Sequence, residues 1–128
     1  MVFSCLQNCS SVPKQELLTK ATWRLQGVVS RPLVASKKDS IPAEPLQREK
    51  VQITYQFQKD KKYIFLRGSQ KDVGDWGMSS DEKVLLLRSH TSGNENAEFR
   101  IHSLNESRLI VSTEHKDKQE ILYFAISE

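Results

Sequence analysis

The chain has 128 residues, 38% hydrophobic and 27% charged, with a net charge of +3. That describes one ordinary globular domain, whose single core buries roughly 65–70% of the unfolded chain's surface, and excludes a disordered chain. The 19 basic and 16 acidic side chains are interleaved, which reads as solvated surface and not as the one-sided basic patch of a nucleic-acid binder.

No apolar run reaches the ~18 residues of a transmembrane helix. The two cysteines, Cys5 and Cys9, precede every expected folded element and so staple no core. Residues 1–12 begin apolar and turn polar. Within them Val2, Phe3, Ser4 and Cys5 resemble the lipobox of bacterial lipoproteins, in which a small residue precedes the cysteine that becomes the first mature residue and carries the lipid. Cys9, preceded by Gln7 and Asn8, fits that pattern less well. The resemblance implies lipidation of Cys5, membrane association through that anchor only, and a numbering that starts within a longer precursor. Read from the residues alone, the same stretch is a disordered tail with two exposed thiols. The folded domain is expected over residues 13–128.

Ser10 and Ser11 offer capping hydroxyls, Pro13 suits a first helical turn, and Leu17 and Leu18 give a helix something to bury. One or two helical turns are expected there. Residues 22–29 then alternate, with Trp23, Leu25 and Gly27 on one face and Arg24 and Gln26 on the other, the period of a half-buried strand. Residues 30–50 contain Pro32, Pro42 and Pro45 and little periodicity. They form a long connection, read either as a lid or as a mobile surface loop, with Leu33, Val34, Ile41 and Leu46 to hold it to the body.

From residue 51 the pattern is regular. Val51, Ile53, Tyr55 and Phe57 alternate with polar residues, 59–62 turn, 63–67 return, and 68–72 turn again. The stretch 73–89 reads as two antiparallel strands around Trp76, with Asp81 and Glu82 at the tip. After a segment rich in turn formers at 91–96, strands are expected over 97–104, 108–113 and 120–126. Eight strands joined by mostly short connections predict an all-β fold: an antiparallel up-and-down barrel, closed or nearly so, behind a short N-terminal helix. Residues 84–87 and 121–126 are apolar on both faces, which a barrel with a wet exterior does not require. The outward ones are expected to pack under the helix or the long connection.

With the strands placed, the chain resembles the lipocalin-like, calycin-type barrel domain of small secreted lipoproteins of Bacteroidetes-type bacteria. The matching pieces are Thr22 to Leu25, Tyr55 to Tyr63, Gly74 to Leu86, Phe99 to Val111, and Tyr123 with Phe124, in that order and spacing. The Gly-x-Trp that opens true lipocalins stands here as Ala21-Thr22-Trp23, so the likeness is to the lipoprotein domain and not to the characterised ligand carriers. It implies an eight-stranded barrel, lipid-anchored in the cell envelope at the periplasm or outer membrane.

Motifs for chemistry are sparse. His90, His102 and His115 fall in a turn, a strand and a turn, without the spacing of a metal site. His102 is expected to face outward. No nucleophile elbow, phosphate loop or dinucleotide fingerprint occurs, and nothing in the sequence brings a serine to a histidine. Asp81 with Glu82, and Asp72 with Asp75, are expected in wet turns and not across a cleft. No catalytic residue, metal or cofactor is therefore expected, and the protein reads as a non-enzymatic monomer.

The aromatic residues are the remaining signal. Trp23, Tyr55, Phe57, Phe65, Trp76 and Tyr123 are candidates for the barrel interior, together with Arg67, the one charge expected to face inward, which would then need an anion to offset its desolvation. Small eight-stranded barrels either fill with side chains or hold one small ligand. Two readings follow. Either the mouth binds a small apolar or amphipathic molecule, closed in part by residues 30–50, or the barrel is filled and the protein is a structural or interaction module using its loops or outer face.

Overall fold

In the computed structural model, which describes residues 13–32, 42, 51–90, 96–115 and 117–127, the period-two stretches become strands. The elements are α1 (Lys14–Thr19), β1 (Thr22–Pro32), β2 (Ile53–Phe57), β3 (Lys62–Arg67), β4 (Gln70–Met78), β5 (Val84–Ser89), β6 (Ala97–Leu104), β7 (Arg108–His115) and β8 (Lys118–Ser127). Each strand pairs antiparallel with its neighbours in sequence, and β8 pairs back onto β1 to close the barrel. Closure satisfies the backbone donors and acceptors that an open sheet would leave along its edges. The fold is thus the eight-stranded antiparallel barrel with a short N-terminal helix that the alternation implied.

The turns are tighter than the sequence suggested. β3 and β4 are joined by Gly68 and Ser69 alone, with Gly68 at φ +60°, a conformation glycine adopts without steric cost. Residues 70–72, expected in the turn, are the start of β4. Between β4 and β5, Asp81 accepts hydrogen bonds from the Ser79 hydroxyl and the Lys83 amide. These bonds, the hydroxyl first, hold its carboxyl below the ordinary range. On the barrel exterior, exposed Asp75 bridges Lys62 Nζ and His90 Nε2, each at 2.9 Å. The Lys62 hydrogen bond first, then that of His90, push the Asp75 carboxyl down to about 2.

Two bulges set which side chains enter the barrel. In β1 the pairing with β8 slips between Leu25 and Gly27, so Gln26 is the extra residue. Trp23 and Leu25 face the interior before it; beyond it Gly27 and Val29 join the outer face, while Val28, paired with Leu122, packs on the interior core. The expected grouping of Gly27 with Trp23 and Leu25 fails for this reason. In β6 a second slip, between Ile101 and Ser103, leaves His102 as the extra residue.

One end of the barrel is shut. Trp23, Phe57, Trp76, Leu85, Phe99 and Leu109 meet in the core with Leu18 of α1 below them. A six-residue helix has no stability of its own in water, so packing must hold it. Leu17 and Leu18 are buried, and Trp23 Nε1 donates to the Leu18 carbonyl at 3.0 Å. Lys14 Nζ reaches the Glu82 carbonyl at 3.0 Å, and Lys61 Nζ donates to Gln15 Oε1 at 2.8 Å. Pro13 occupies the N-cap position without a side-chain capping bond. Among the described residues no helix is long and apolar enough to cross a membrane.

Trp76 is 4% exposed; its ring meets Phe57 edge-on at 5.8 Å between centroids, and its Nε1 donates to the Gln58 carbonyl at 2.9 Å. Trp76→Ala removes the largest filler on β4 and is expected to cost about 3–5 kcal/mol in urea denaturation. A loss below about 1 kcal/mol would contradict this packing.

Candidate functional site

Among the described residues, nothing covers the other end of the barrel. Its walls come from β2 to β6, whose inward positions follow from the register: Tyr55 pairs with Phe65, Phe65 with Asp72, Tyr63 with Gly74, Gly74 with Ser89, and Leu87 with Ala97. These side chains surround a cleft of about 260 Å3 lined by Tyr55, Tyr63, Phe65, Asp72, Leu87, Ser89 and Ala97. Below it, between Phe57, Leu85, Phe99, Leu109, Val111 and Phe124, the residual space falls to about 10 Å3, roughly the room that one water needs. The interior is therefore filled in its closed half and hollow at its mouth. A second hollow of about 310 Å3 is more open and is bordered by outward-facing Asp75, Gly77, Leu86, Arg88 and Glu98.

Tyr55 is the floor of the mouth. Its ring stacks on Phe57 at 5.6 Å and 6°, lies 4.9 Å from Phe65 and 6.1 Å from Tyr63, and meets Phe124 edge-on at 5.8 Å. Tyr63 is held by what its neighbour lacks. A Cβ at Gly74 would meet the Arg88 carbonyl oxygen and lie 2.7–2.9 Å from two atoms of the Tyr63 ring, so only glycine lets the ring lie against this backbone.

Asp72 stands diagonally across from Ser89, whose Oγ donates to both carboxylate oxygens at 3.0 and 3.1 Å. The Tyr63 hydroxyl approaches the same carboxylate at 3.4 Å. Burial, and then the Asp72 charge, raise the Tyr63 phenol above its ordinary range. Burial raises Tyr55 further, with Tyr63 and Asp72 adding to it. Both phenols remain protonated donors at neutral pH. Among the described residues, the mouth is thus built from aromatic rings, the Tyr55 and Tyr63 hydroxyls, the Ser89 hydroxyl and the Asp72 carboxylate.

The sequence candidates divide among different places. Tyr55 and Phe65 line the mouth. Trp23, Phe57 and Trp76 are inside the barrel, packed in the closed half. Arg67 has inward parity but ends β3 exposed at the rim, so the expectation of an inward guanidinium is corrected: the turn at Gly68 releases it to solvent. Tyr123 is also corrected. It pairs with Ile110 and belongs to a separate outer cluster with Val29, Ile110 and Ile121. The β8 residues that enter the interior are Leu122 and Phe124.

The Tyr123 hydroxyl donates to the Pro42 carbonyl at 2.6 Å. Pro42, the one described residue between positions 33 and 50, therefore sits against the outer face of β1, β7 and β8. The rest of that connection, and Cys5 with residues 1–12, lie outside the described residues. The doubly apolar character of 121–126 thus has its reason in an outer cluster that is itself buried.

Sequence reasoning missed Asp72, Ser89, Leu87 and Ala97 and assigned Tyr63 no role. The signal for Asp72 was present. A two-residue turn at Gly68 and Ser69 mirrors the inward set Tyr63, Phe65 and Arg67 onto Gln70, Asp72 and Gly74. The structure also brings together a serine and a histidine that the sequence kept apart: Ser112 Oγ and His102 Nε2 share a hydrogen bond of 2.7 Å on the outer face. Ser112 is 3% exposed, and burial first, then Arg100 and Arg31, lower the imidazole's proton affinity. The pair gives a buried hydroxyl the partner it requires. Among the described residues no three metal-ligating side chains converge.

The barrel is similar to the crystal structure of a DUF4847 family protein from Bacteroides vulgatus ATCC 8482, with a TM-score of 0.63 at 12% identity over 88% of this chain and 96% of that one. At that identity the likeness establishes the fold. No family model and no curated protein matches the sequence.

Gly74→Ala tests the geometry of the mouth. The added methyl must displace the Tyr63 ring or the β5 backbone, and a loss of about 1–3 kcal/mol in chemical denaturation is expected. The Tyr63 ring resonances should shift with it; unchanged stability and spectra would contradict the close approach.

Proposed function

We propose that the protein is a non-enzymatic, lipid-anchored component of a bacterial cell envelope, at the periplasm or outer membrane, whose barrel mouth holds one small apolar or amphipathic molecule. The observation that supports it is the division of the interior into a packed half and an open cleft of about 260 Å3 with aromatic walls and a few convergent polar groups. That combination is the usual make-up of a small-molecule site, and the volume lies just under the ~300–1,000 Å3 range of drug-sized pockets. The ligand is accordingly small. A closed barrel leaves no free sheet edge for self-association, which favours a monomer.

The anchor is supported by Val2, Phe3, Ser4 and Cys5, which match the lipobox pattern. The envelope location follows from it, and from the lipoprotein domain that the strand pieces resemble. The second reading, an interaction module, has its own support in the packed closed half and in Leu66, Val73 and Leu86, which stay 40–41% exposed on the barrel exterior.

A neutral probe decides between the readings. 2-Phenylethanol, followed by ligand-detected NMR, is expected to bind saturably to the wild type and to lose that binding in Ala97→Trp, which fills the mouth. Absence of saturable binding would leave the interaction module as the better account. For the anchor, expression with the full precursor is expected to give membrane-associated protein that Cys5→Ser releases; continued membrane association of that variant would end the lipidation reading.

A further inference from the structure

The three hydroxyls that line the mouth differ in where their protons go. Ser89 Oγ and the Tyr63 hydroxyl direct theirs to Asp72, whereas none of the described residues accepts from the hydroxyl of Tyr55. Tyr63 and Asp72 both act on the Tyr55 phenol through space, and both line the cleft, so its oxygen lies on the mouth side of the ring. A phenolic hydroxyl set among apolar groups normally finds a partner. This one faces the cleft and its occupant.

The ring that carries it is held from several sides. Phe57 stacks on it at 5.6 Å, Phe65 lies 4.9 Å away and Phe124 meets it edge-on at 5.8 Å, so the donor is in place before a ligand arrives and little ordering remains to be done on binding. Burial first, then Tyr63 and Asp72, raise the phenol well above its ordinary range, which keeps it a protonated donor at neutral pH. An occupant without an acceptor would strip water from this hydroxyl and return no bond to it. An occupant ending in a carboxylate or phosphate would have to dehydrate a full charge beside the negative faces of the rings. A neutral carbonyl avoids both costs, because it brings an acceptor and has no donor of its own to satisfy.

We propose that the mouth takes a small neutral carbonyl compound, whose oxygen accepts from the Tyr55 hydroxyl and whose apolar remainder, about one aromatic ring in size, lies against Phe65, Leu87 and Ala97. This rests on reading the mouth as a ligand site and adds the donor and the chemical class. Tyr55 borders both the cleft and the nearly filled space below it, so the carbonyl end points down into the barrel and the apolar end toward the rim. A cleft of about 260 Å3 admits a molecule of that size and is too small for a two-chain lipid.

Ligand-detected NMR on the full chain at pH 7 tests it with two probes of one shape: acetophenone, and α-methylstyrene, in which a methylene replaces the carbonyl oxygen. Both are expected to bind the wild type saturably. In Tyr55→Phe, which keeps the ring and its contacts, acetophenone should bind about tenfold more weakly, as the loss of one hydrogen bond implies, while α-methylstyrene binds as before or tighter. The urea midpoint of that variant should equal or exceed the wild type's, because the hydroxyl removed bonds to none of the described residues. A lower midpoint, or failure to fold, would mean that the barrel itself uses the hydroxyl and would overturn the inference. Equal weakening of both probes or of neither, or wild-type binding of α-methylstyrene alone, would overturn it and leave the ligand site standing. Binding of neither probe to the wild type would overturn both.

Discussion

The structure depends on the pairing of β1 with β8. It closes the sheet, and because it slips by one residue at Gln26 it also decides which side chains are inside. A strand in strict alternation would send Trp23, Leu25, Gly27 and Val29 to the same face. The extra residue instead divides them, giving Trp23 and Leu25 to the interior and Val29 to an outer cluster with Ile110, Ile121 and Tyr123. One ten-residue strand, β8, thereby serves two cores: Leu122 and Phe124 point in, Ile121 and Tyr123 point out. Without the bulge, one of these sets would lose its partners on β1.

The closed half makes the open half possible. Trp23, at 0% exposure, stands where the chain enters the barrel, and its indole nitrogen satisfies the carbonyl of Leu18 in the last turn of the helix beneath. With Phe57 and Trp76 beside it, the lower interior is filled to a residual space of about 10 Å3. That core stiffens the strands that carry the mouth residues, since Tyr55 and Leu87 sit two residues along their strands from Phe57 and Leu85, and Tyr63 is itself a member of the core cluster. The glycine at position 74 is the complementary device: by having no side chain it lets the Tyr63 ring lie against the backbone.

The order of strands was legible because the inward residues repeat with period two and the turns are polar. Less legible was everything set by a single residue of register. The segment 121–126 is apolar on both faces, so alternation alone gave Tyr123 and Phe124 equal claims on the interior, and the bulge that separates Trp23 from Val29 leaves no mark in the sequence pattern. Asp72 was hidden by turn length. Read as a five-residue turn, 68–72 puts the carboxylate in water; read as Gly68 and Ser69 alone, it carries the alternation of β3 across to β4 and turns Asp72 inward. The pairing of Ser112 with His102 was out of reach for a similar reason, since it arises at the bulge in β6.

The same one-residue reasoning decides which charged residue of the β3–β4 hairpin stays in the wall. Arg67 and Asp72 share the inward parity of the β3–β4 hairpin, so parity alone does not choose between them. Depth does. Arg67 is the last residue of β3, with Gly68 turning immediately beyond it, and a long flexible side chain at that height takes its charge out to water at little cost. Asp72 is two residues further down the wall, opposite Phe65, and its short side chain cannot leave. A barrel rim therefore sheds a long cation and retains a short anion, here a carboxylate that accepts from Ser89 Oγ and is approached by the Tyr63 hydroxyl.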